Sequence, residues 1–273
     1  MLKCSSSISE ELYNKSTHFL LELLQNADDN TYDGSIPVLN FTYQPGQLRI
    51  DCNEVGFTED NVRAICNIGK STKKGKRRSA GYTGEKGIGF KSVFRVADVV
   101  WISSQHYSFK LDRNELLGMI APIWDEFPRP KLPRYTSFYM KIAQDYNEEE
   151  LVEDITSFDP TLLIFLRRIR EINLNVRKRD GSTWSTRLCR SDSGTSGDLF
   201  TVLSQDDSSS RYVVRKHIAQ HCALEPKRPG CFESEILLAF PLSVPKTITH
   251  NVYAFLPIRD YGLKVRFKAR TNH

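Results

Sequence analysis

The chain lacks most of the signals that place a protein in a class at first reading. No apolar run approaches the ~18–20 residues needed to span a bilayer. The opening MLKCSSSISEELYNK has none of the apolar centre that a secretory leader carries. Six cysteines, at 4, 52, 66, 189, 222 and 231, form no CxxC pair and no dense framework. That spacing supports neither a disulfide scaffold nor a thiolate-metal site, and it leads us to expect reduced thiols in an intracellular protein of the cytoplasm or nucleus. Internal repeats and coiled-coil heptads are absent as well. The tetrapeptide GKST at 69–72 is not a P-loop, because the required glycine five places before Gly69 is replaced by Ala64.

What is present is ordinary in bulk and uneven in detail. The chain has 273 residues, 40% of them hydrophobic, which is enough for one large domain or two modest ones. A net charge of +5 permits an anionic partner without requiring one. Six of the 15 glycines (Gly69, Gly75, Gly81, Gly84, Gly87, Gly89) fall in a 21-residue window, and most of the local positive charge falls there too. Lys70, Lys73, Lys74, Lys76, Arg77 and Arg78 crowd the first half of that window. Such a run is commonly a solvated loop, and some such loops bind nucleic acid.

Periodicity predicts a helix over THFLLELLQNADD, with Leu20, Leu23, Leu24 and Ala27 on one side and Glu22, Asn26 and Asp29 on the other. VLNFTYQ and QLRIDCN read as a hairpin about Pro45-Gly46, and TEDNVRAICNI as a helix capped by Thr58. FKSVFRVA opens a further helical pattern directly behind glycine. VVWISS, HYSFKLD and TSFYMKIA read as strands, and EEELVEDITS and TLLIFLRRIREI as helices. Beyond about residue 173 the texture turns β-rich. NLNVRKRDGSTWSTRLCR forms a hairpin at Asp180-Gly181, while SDSGTSGDLF and SQDDSSSR read as polar loops. The predicted domains are therefore 1–173 and a β-rich unit over 174–273, which ends on a strand-like run and is expected to be incomplete.

Three features could carry chemistry. A polar stripe on an amphipathic helix is usually a solvated face, yet no Lys or Arg interrupts the stretch from Thr17 to Tyr32. There an amide oxygen suits Mg²⁺, and a carboxylate one turn away can orient water. IDCNEVGF, at 50–57, is a strand running into a polar turn that ends at Gly56; it fits either a generic turn or a base-recognition edge. GEKGIGFKS reads G-x-x-G-x-G entering a helix, with amides suited to an anion. Its spacing and its place behind a long loop argue against a dinucleotide fold.

Taken in order, ELLQNADD, LRIDCNEVGF, NIGKSTK, GEKGIGFKSVF and YTSFYMKI resemble the GHKL ATPase superfamily of gyrase, heat-shock protein 90, histidine kinases and MutL. Within it, the resemblance is to the sacsin and NO VEIN type of chaperone-like ATPase module. It covers roughly residues 9–175 and implies an α+β fold, the α/β two-layer Bergerat sandwich, with a mostly antiparallel sheet and helices on one face. It implies ATP and Mg²⁺ as cofactors, Glu22 as the base that activates water, Asn26 as the Mg²⁺ ligand and Asp29 as a supporting acid. Gly56 would lie beneath adenine, and Ser71 and Lys73 would sit in a lid. Gly84, Lys86, Gly87 and Gly89 would lie at the phosphates and Thr136 at the adenine end.

Where the superfamily places an aspartate for the adenine amine, this chain has Cys52 between Asp51 and Asn53. Asn53 is the candidate taken, through its carbonyl oxygen. The expected function is slow Mg²⁺-dependent ATP hydrolysis driving a conformational switch, with a client or a second copy as partner and no membrane span. The alternatives are a nucleotide-binding module without turnover, or a nucleic-acid-binding protein using the basic loop 70–78.

Overall fold

The computed structural model describes residues 18–66, 89–195, 198–220, 233–242, 250–254, 256–263 and 266–271. They fall into two compact units. The first contains the described residues 18–66, 89–158 and 171–186. Its strands are β1 (Val38–Gln44), β2 (Gln47–Cys52), β3 (Ala97–Ser104), β4 (Tyr107–Asp112), β5 (Ile123–Trp124), β6 (Thr136–Ile142) and β7 (Glu171–Arg177). They lie in the order β7-β1-β2-β6-β3-β4-β5. β1 and β7 pair in parallel, and the other described pairs are antiparallel.

Strand alternation explains the core. One row of side chains on the same face runs Leu174, Phe41, Ile50, Phe138, Ile102 and Phe109 across six strands. A second runs Val176, Tyr43, Leu48, Met140, Val100 and Leu111. Most of these side chains are fully buried, each stabilising the unit by about 1.5–3 kcal/mol. The hairpin at Pro45-Gly46 forms as expected, with Gly46 at φ 78°. The Asp180-Gly181 turn also forms, closed by the Lys178 N–H···O=C Ser182 bond of 2.8 Å.

α1 (His18–Asp28) buries Phe19, Leu20, Leu23, Leu24 and Ala27, the apolar face expected from the sequence. The caps expected at Ser16 and Thr17 lie outside the described residues. α2 (Glu59–Cys66) begins at a reciprocal cap: the Thr58 N–H donates to Asn61 Oδ1 at 2.9 Å, and the Asn61 N–H donates to Thr58 Oγ1 at 3.4 Å. α3 (Glu148–Thr156) has Asn147 as N-cap, followed by three glutamates that complement the helix dipole. Gly89–Arg95 forms a 3₁₀ helix rather than the expected α-helix and buries Phe90, Val93 and Phe94.

The second unit contains the described residues 159–170 and those from 187 onward. It holds the four-residue helix α4 (Leu162–Phe165) and strands β9 (Asp198–Gln205), β10 (Ser208–Gln220), β11 (Glu233–Pro241), β12 (His250–Ala254), β13 (Leu256–Leu263) and β14 (Arg266–Thr271). β8 (Thr183–Thr195) begins in the first unit and ends in this one.

Two expectations for the second unit fail. SDSGTSGDLF and SQDDSSSR are not loops: most of their described residues lie in β8, β9 and β10. The 12-residue helix TLLIFLRRIREI stops at Phe165, where Leu166 turns extended (ψ 148°), and its last residues enter β7. The Arg190 guanidinium donates to the carbonyls of Leu163, Ile164 and Leu166 at 2.7–2.9 Å, capping the chain where a continuing helix would have used those acceptors.

The fold class needs correction accordingly. Among the described residues, fourteen strands stand against α-helices of 11, 8, 9 and 4 residues. The chain is mostly β with mixed pairing, and not the helix-layered α/β two-layer sandwich expected from the sequence. No described helix is long and apolar enough to cross a membrane.

Candidate functional site

α1 carries Glu22 half-buried, and burial holds its carboxyl above the usual carboxylate range. The carboxylate lies so close to Gly89 that a Cβ there would collide with Glu22 Oε2. The 3₁₀ helix that begins at Gly89 packs on α1, so buried Phe90, Val93 and Phe94 hold this junction in place. Two segments singled out separately in the sequence, the polar helix face and the end of the glycine-rich stretch, therefore meet. One turn beyond Glu22, Asn26 is half-buried, and Asp29 follows at 9% exposure.

Asn26 also borders a cavity of about 70 Å³, floored by Ile50, Cys52 and Phe138 and walled by α1, α2 and Phe90. At ~10–15 Å³ per water-sized sphere, it has room for about five waters. The wall is largely apolar, with Asn26, Asn30, Cys52, Glu54 and Asn61 as its polar groups. An apolar cleft with a few polar anchors is the general form of a small-molecule site.

The turn after β2 divides its side chains between opposite sides. Asp51 is buried, accepting from Arg49 Nε at 2.9 Å and from Ser137 Oγ at 2.5 Å. Asn53 Oδ1 accepts from the Val38 N–H at 2.7 Å, and its Nδ2 donates to Ile36 O at 2.7 Å. Neither residue borders the 70 Å³ cavity. Cys52 and Glu54 do, and both are buried. The Cys52 thiol lies 3.1 Å from the Tyr32 hydroxyl, and burial pushes its pKa up to about 12. Glu54 was not singled out from the sequence, although its two-residue offset from Cys52 puts both on one side of an extended chain.

Gly56 (φ 95°) borders a second, separate cavity of about 610 Å³, which Asn53 and Glu54 also line; a Cβ on Gly56 would collide with the Gln105 side chain. Thr136 is buried opposite Cys52, its hydroxyl 2.6 Å from Ser104 Oγ. Ser104 in turn accepts the Phe57 N–H at 2.8 Å, which ties the end of the turn to the sheet. Ser71, Lys73, Gly84, Lys86, Gly87 and the basic run 70–78 lie outside the described residues.

No family model matches the chain. It is similar to the protein NO VEIN of Arabidopsis thaliana, with 32% identity over 285 aligned residues that cover 94% of this chain and 10% of that protein. It is similar also to human sacsin, with 37% identity over 103 residues, 32% of this chain and 2% of sacsin. The homology to NO VEIN thus runs along nearly the whole chain, and the chain spans about a tenth of that relative's length.

Proposed function

We propose that the first unit binds ATP with Mg²⁺ and hydrolyses it slowly, as a chaperone-like conformational switch of the GHKL ATPase type. The observation that carries the proposal is the junction of Glu22 with Gly89: a half-buried carboxylate seated against the end of the glycine-rich segment, whose chain neighbours Leu23 and Phe90, with Asn26, line a largely apolar cavity that Glu22 itself does not border. In this reading Glu22 accepts the proton of the attacking water. Its raised pKa brings it closer to the operating pH, which is where a general base works best.

Asn26 offers a hard amide oxygen on the cavity wall, and Asp29 follows just past the end of the same helix. That donor set suits an ion held mainly by phosphate oxygens. Bound Mg²⁺ would supply charge neutralisation at the phosphates. Similarity to NO VEIN and sacsin is consistent with the resemblance from which the superfamily reading is drawn. The output of such a switch is conformational, delivered to a partner protein or a second copy.

The test is phosphate release by the wild-type chain and by Glu22→Ala. Turnover should fall about 10²–10⁴-fold while ATP binding is retained. Unaltered hydrolysis in Glu22→Ala would overturn the assignment.

A further inference from the structure

The 610 Å³ cavity bordered by Gly56 is separate from the one that Asn26 borders, and the proposed hydrolysis makes no use of it. Four stretches of the first unit line it: Asp33 with Ser35, the turn 53–56, the β3–β4 hairpin, and the loop 131–135 that leads into β6.

Its frame is backbone held in unusual conformations. Of the four described non-glycine residues with left-handed backbone, Gln105 (φ 52°) and Arg134 (φ 63°) both line this cavity, and Gly56 (φ 95°) lines it too. Such a backbone at a residue with a side chain persists only where the surroundings enforce it, and it gathers at ligand sites. Here Gln105 Nε2 donates to Val55 O at 2.5 Å, and the Tyr135 N–H donates to Leu132 O at 3.3 Å, closing a turn over Pro133 and Arg134. Pro133 fixes its own φ, so a pre-formed loop presents the Arg134 side chain.

The charged groups of this wall are available. Lys131 and Arg134 are exposed, and neither makes a side-chain hydrogen bond or ion pair with a described residue. Asp33, exposed on another stretch, takes a long 3.5 Å bond from Ser35 Oγ. With buried Glu54, the wall holds two cations and two carboxylates. A lone phosphate or a polyanion therefore gains at Lys131 and Arg134 what it loses near Asp33 and Glu54. Apolar surface is on offer as well, with Val55 42% and Leu132 40% exposed.

We propose that this cavity docks an extended peptide segment of a partner protein: acidic side chains pair with Lys131 and Arg134, a basic side chain pairs with Asp33, and an apolar side chain covers Val55 and Leu132. A peptide carries both signs of charge, apolar groups and main-chain donors and acceptors in one chain, which is the mixture this wall complements. The volume lies within the ~300–1,000 Å³ of ligand clefts. The proposal does not depend on the nucleotide reading.

The experiment probes an array of hexapeptides, built from glutamate, lysine, leucine and alanine, with the 273-residue chain. The affinities of the selected peptides are then measured in solution by fluorescence anisotropy. Selected peptides should combine glutamate, leucine and lysine. Arg134→Glu should weaken their binding about 10–100-fold. Lys178→Glu makes the same change of charge at an exposed residue of a different cavity, and should leave affinity within about twofold. Joining Lys131→Glu to Arg134→Glu should turn the array's preference from glutamate toward lysine.

No selection by the wild-type chain would overturn the proposal whether or not the variants fold. An unchanged preference in the folded double variant would overturn it too, as would equal weakening by Arg134→Glu and Lys178→Glu. Selection for glutamate alone, or tighter binding of a labelled single-stranded DNA oligonucleotide that Arg134→Glu abolishes, would overturn the peptide assignment and make this a polyanion site.

Discussion

Replacing Gly89 with alanine tests the contact on which the site is built, and it does so without assuming any ligand. Gly89 does not have the left-handed backbone that only glycine tolerates, so alanine fits its main chain. Among the described residues, the added methyl would collide with the Glu22 carboxylate and nothing else within close range. Overpacking costs about 1–3 kcal/mol, and the far end of a flexible glutamate puts this case at about 1 kcal/mol. In a Glu22→Ala background the obstacle is gone. The same substitution should then stabilise by about 0.4–1 kcal/mol, through loss of unfolded-chain entropy.

The Gly89→Ala effect therefore changes sign between backgrounds, with a coupling of about 1.5–2 kcal/mol. Urea unfolding of the four proteins measures it. If the proposed chemistry is right, Gly89→Ala also lowers phosphate release by displacing the base. Equal destabilisation in both backgrounds would refute the reasoning, because the methyl would then be meeting something other than Glu22.

Glu22→Gln should be more stable than wild type at pH 7. A carboxyl whose folded pKa is raised binds more protons in the folded state, so its contribution declines as pH rises above the ordinary value of 4.5. The advantage should shrink as urea titrations move to pH 4 and below. Glu148 behaves oppositely. Burial alone would raise its pKa, but hydrogen bonds from Tyr43, the Gly46 N–H and Arg179 outweigh burial and lower it, so its contribution is lost as pH falls through the folded value. Glu148→Ala should cost about 1–3 kcal/mol at neutral pH and flatten the acid limb of the stability profile. In the second unit, Arg190→Met should cost about 3–5 kcal/mol by denaturant titration, since it strips three carbonyls of their donor and leaves Asp192 without its 2.9 Å partner.

Legibility in the sequence followed the kind of signal that each segment carried. α1 was readable because its apolar residues recur at helical spacing and pack as that spacing requires. β1, β2, β3, β4 and β6 were readable because aliphatic and aromatic residues alternate along them, and those residues form the two buried rows of the first unit. β8 and β9 carry much of their pattern in polar residues. Thr201 is fully buried, but its hydroxyl bonds to Asp192 at 2.8 Å, and Asp192 also bonds to Arg190. Polar residues that satisfy one another across strands leave no hydrophobic alternation to read, which is why the β content was underestimated and the fold class misread.

The candidate site divides along the same line. Glu22 and Gly89 were each chosen for their chemistry, yet only the packing of Phe90, Val93 and Phe94 against α1 brings them together. At the turn after β2, residue type alone favoured Asn53, whose amide can accept from an amine. Its oxygen takes the Val38 N–H instead, a long-range pairing of residues 15 apart that no local pattern announces. Glu54 could have been found from the extended-chain offset that it shares with Cys52.

The central claim is that the cavity bordered by Asn26, one helical turn from Glu22, is a nucleotide site. Calorimetric titration of the wild-type chain with ATP in the presence of Mg²⁺ tests it most directly. The account predicts saturable binding of one ATP per chain, weakened when Mg²⁺ is chelated. Absence of binding at about 1 mM ATP, with the protein shown to be folded, would contradict it.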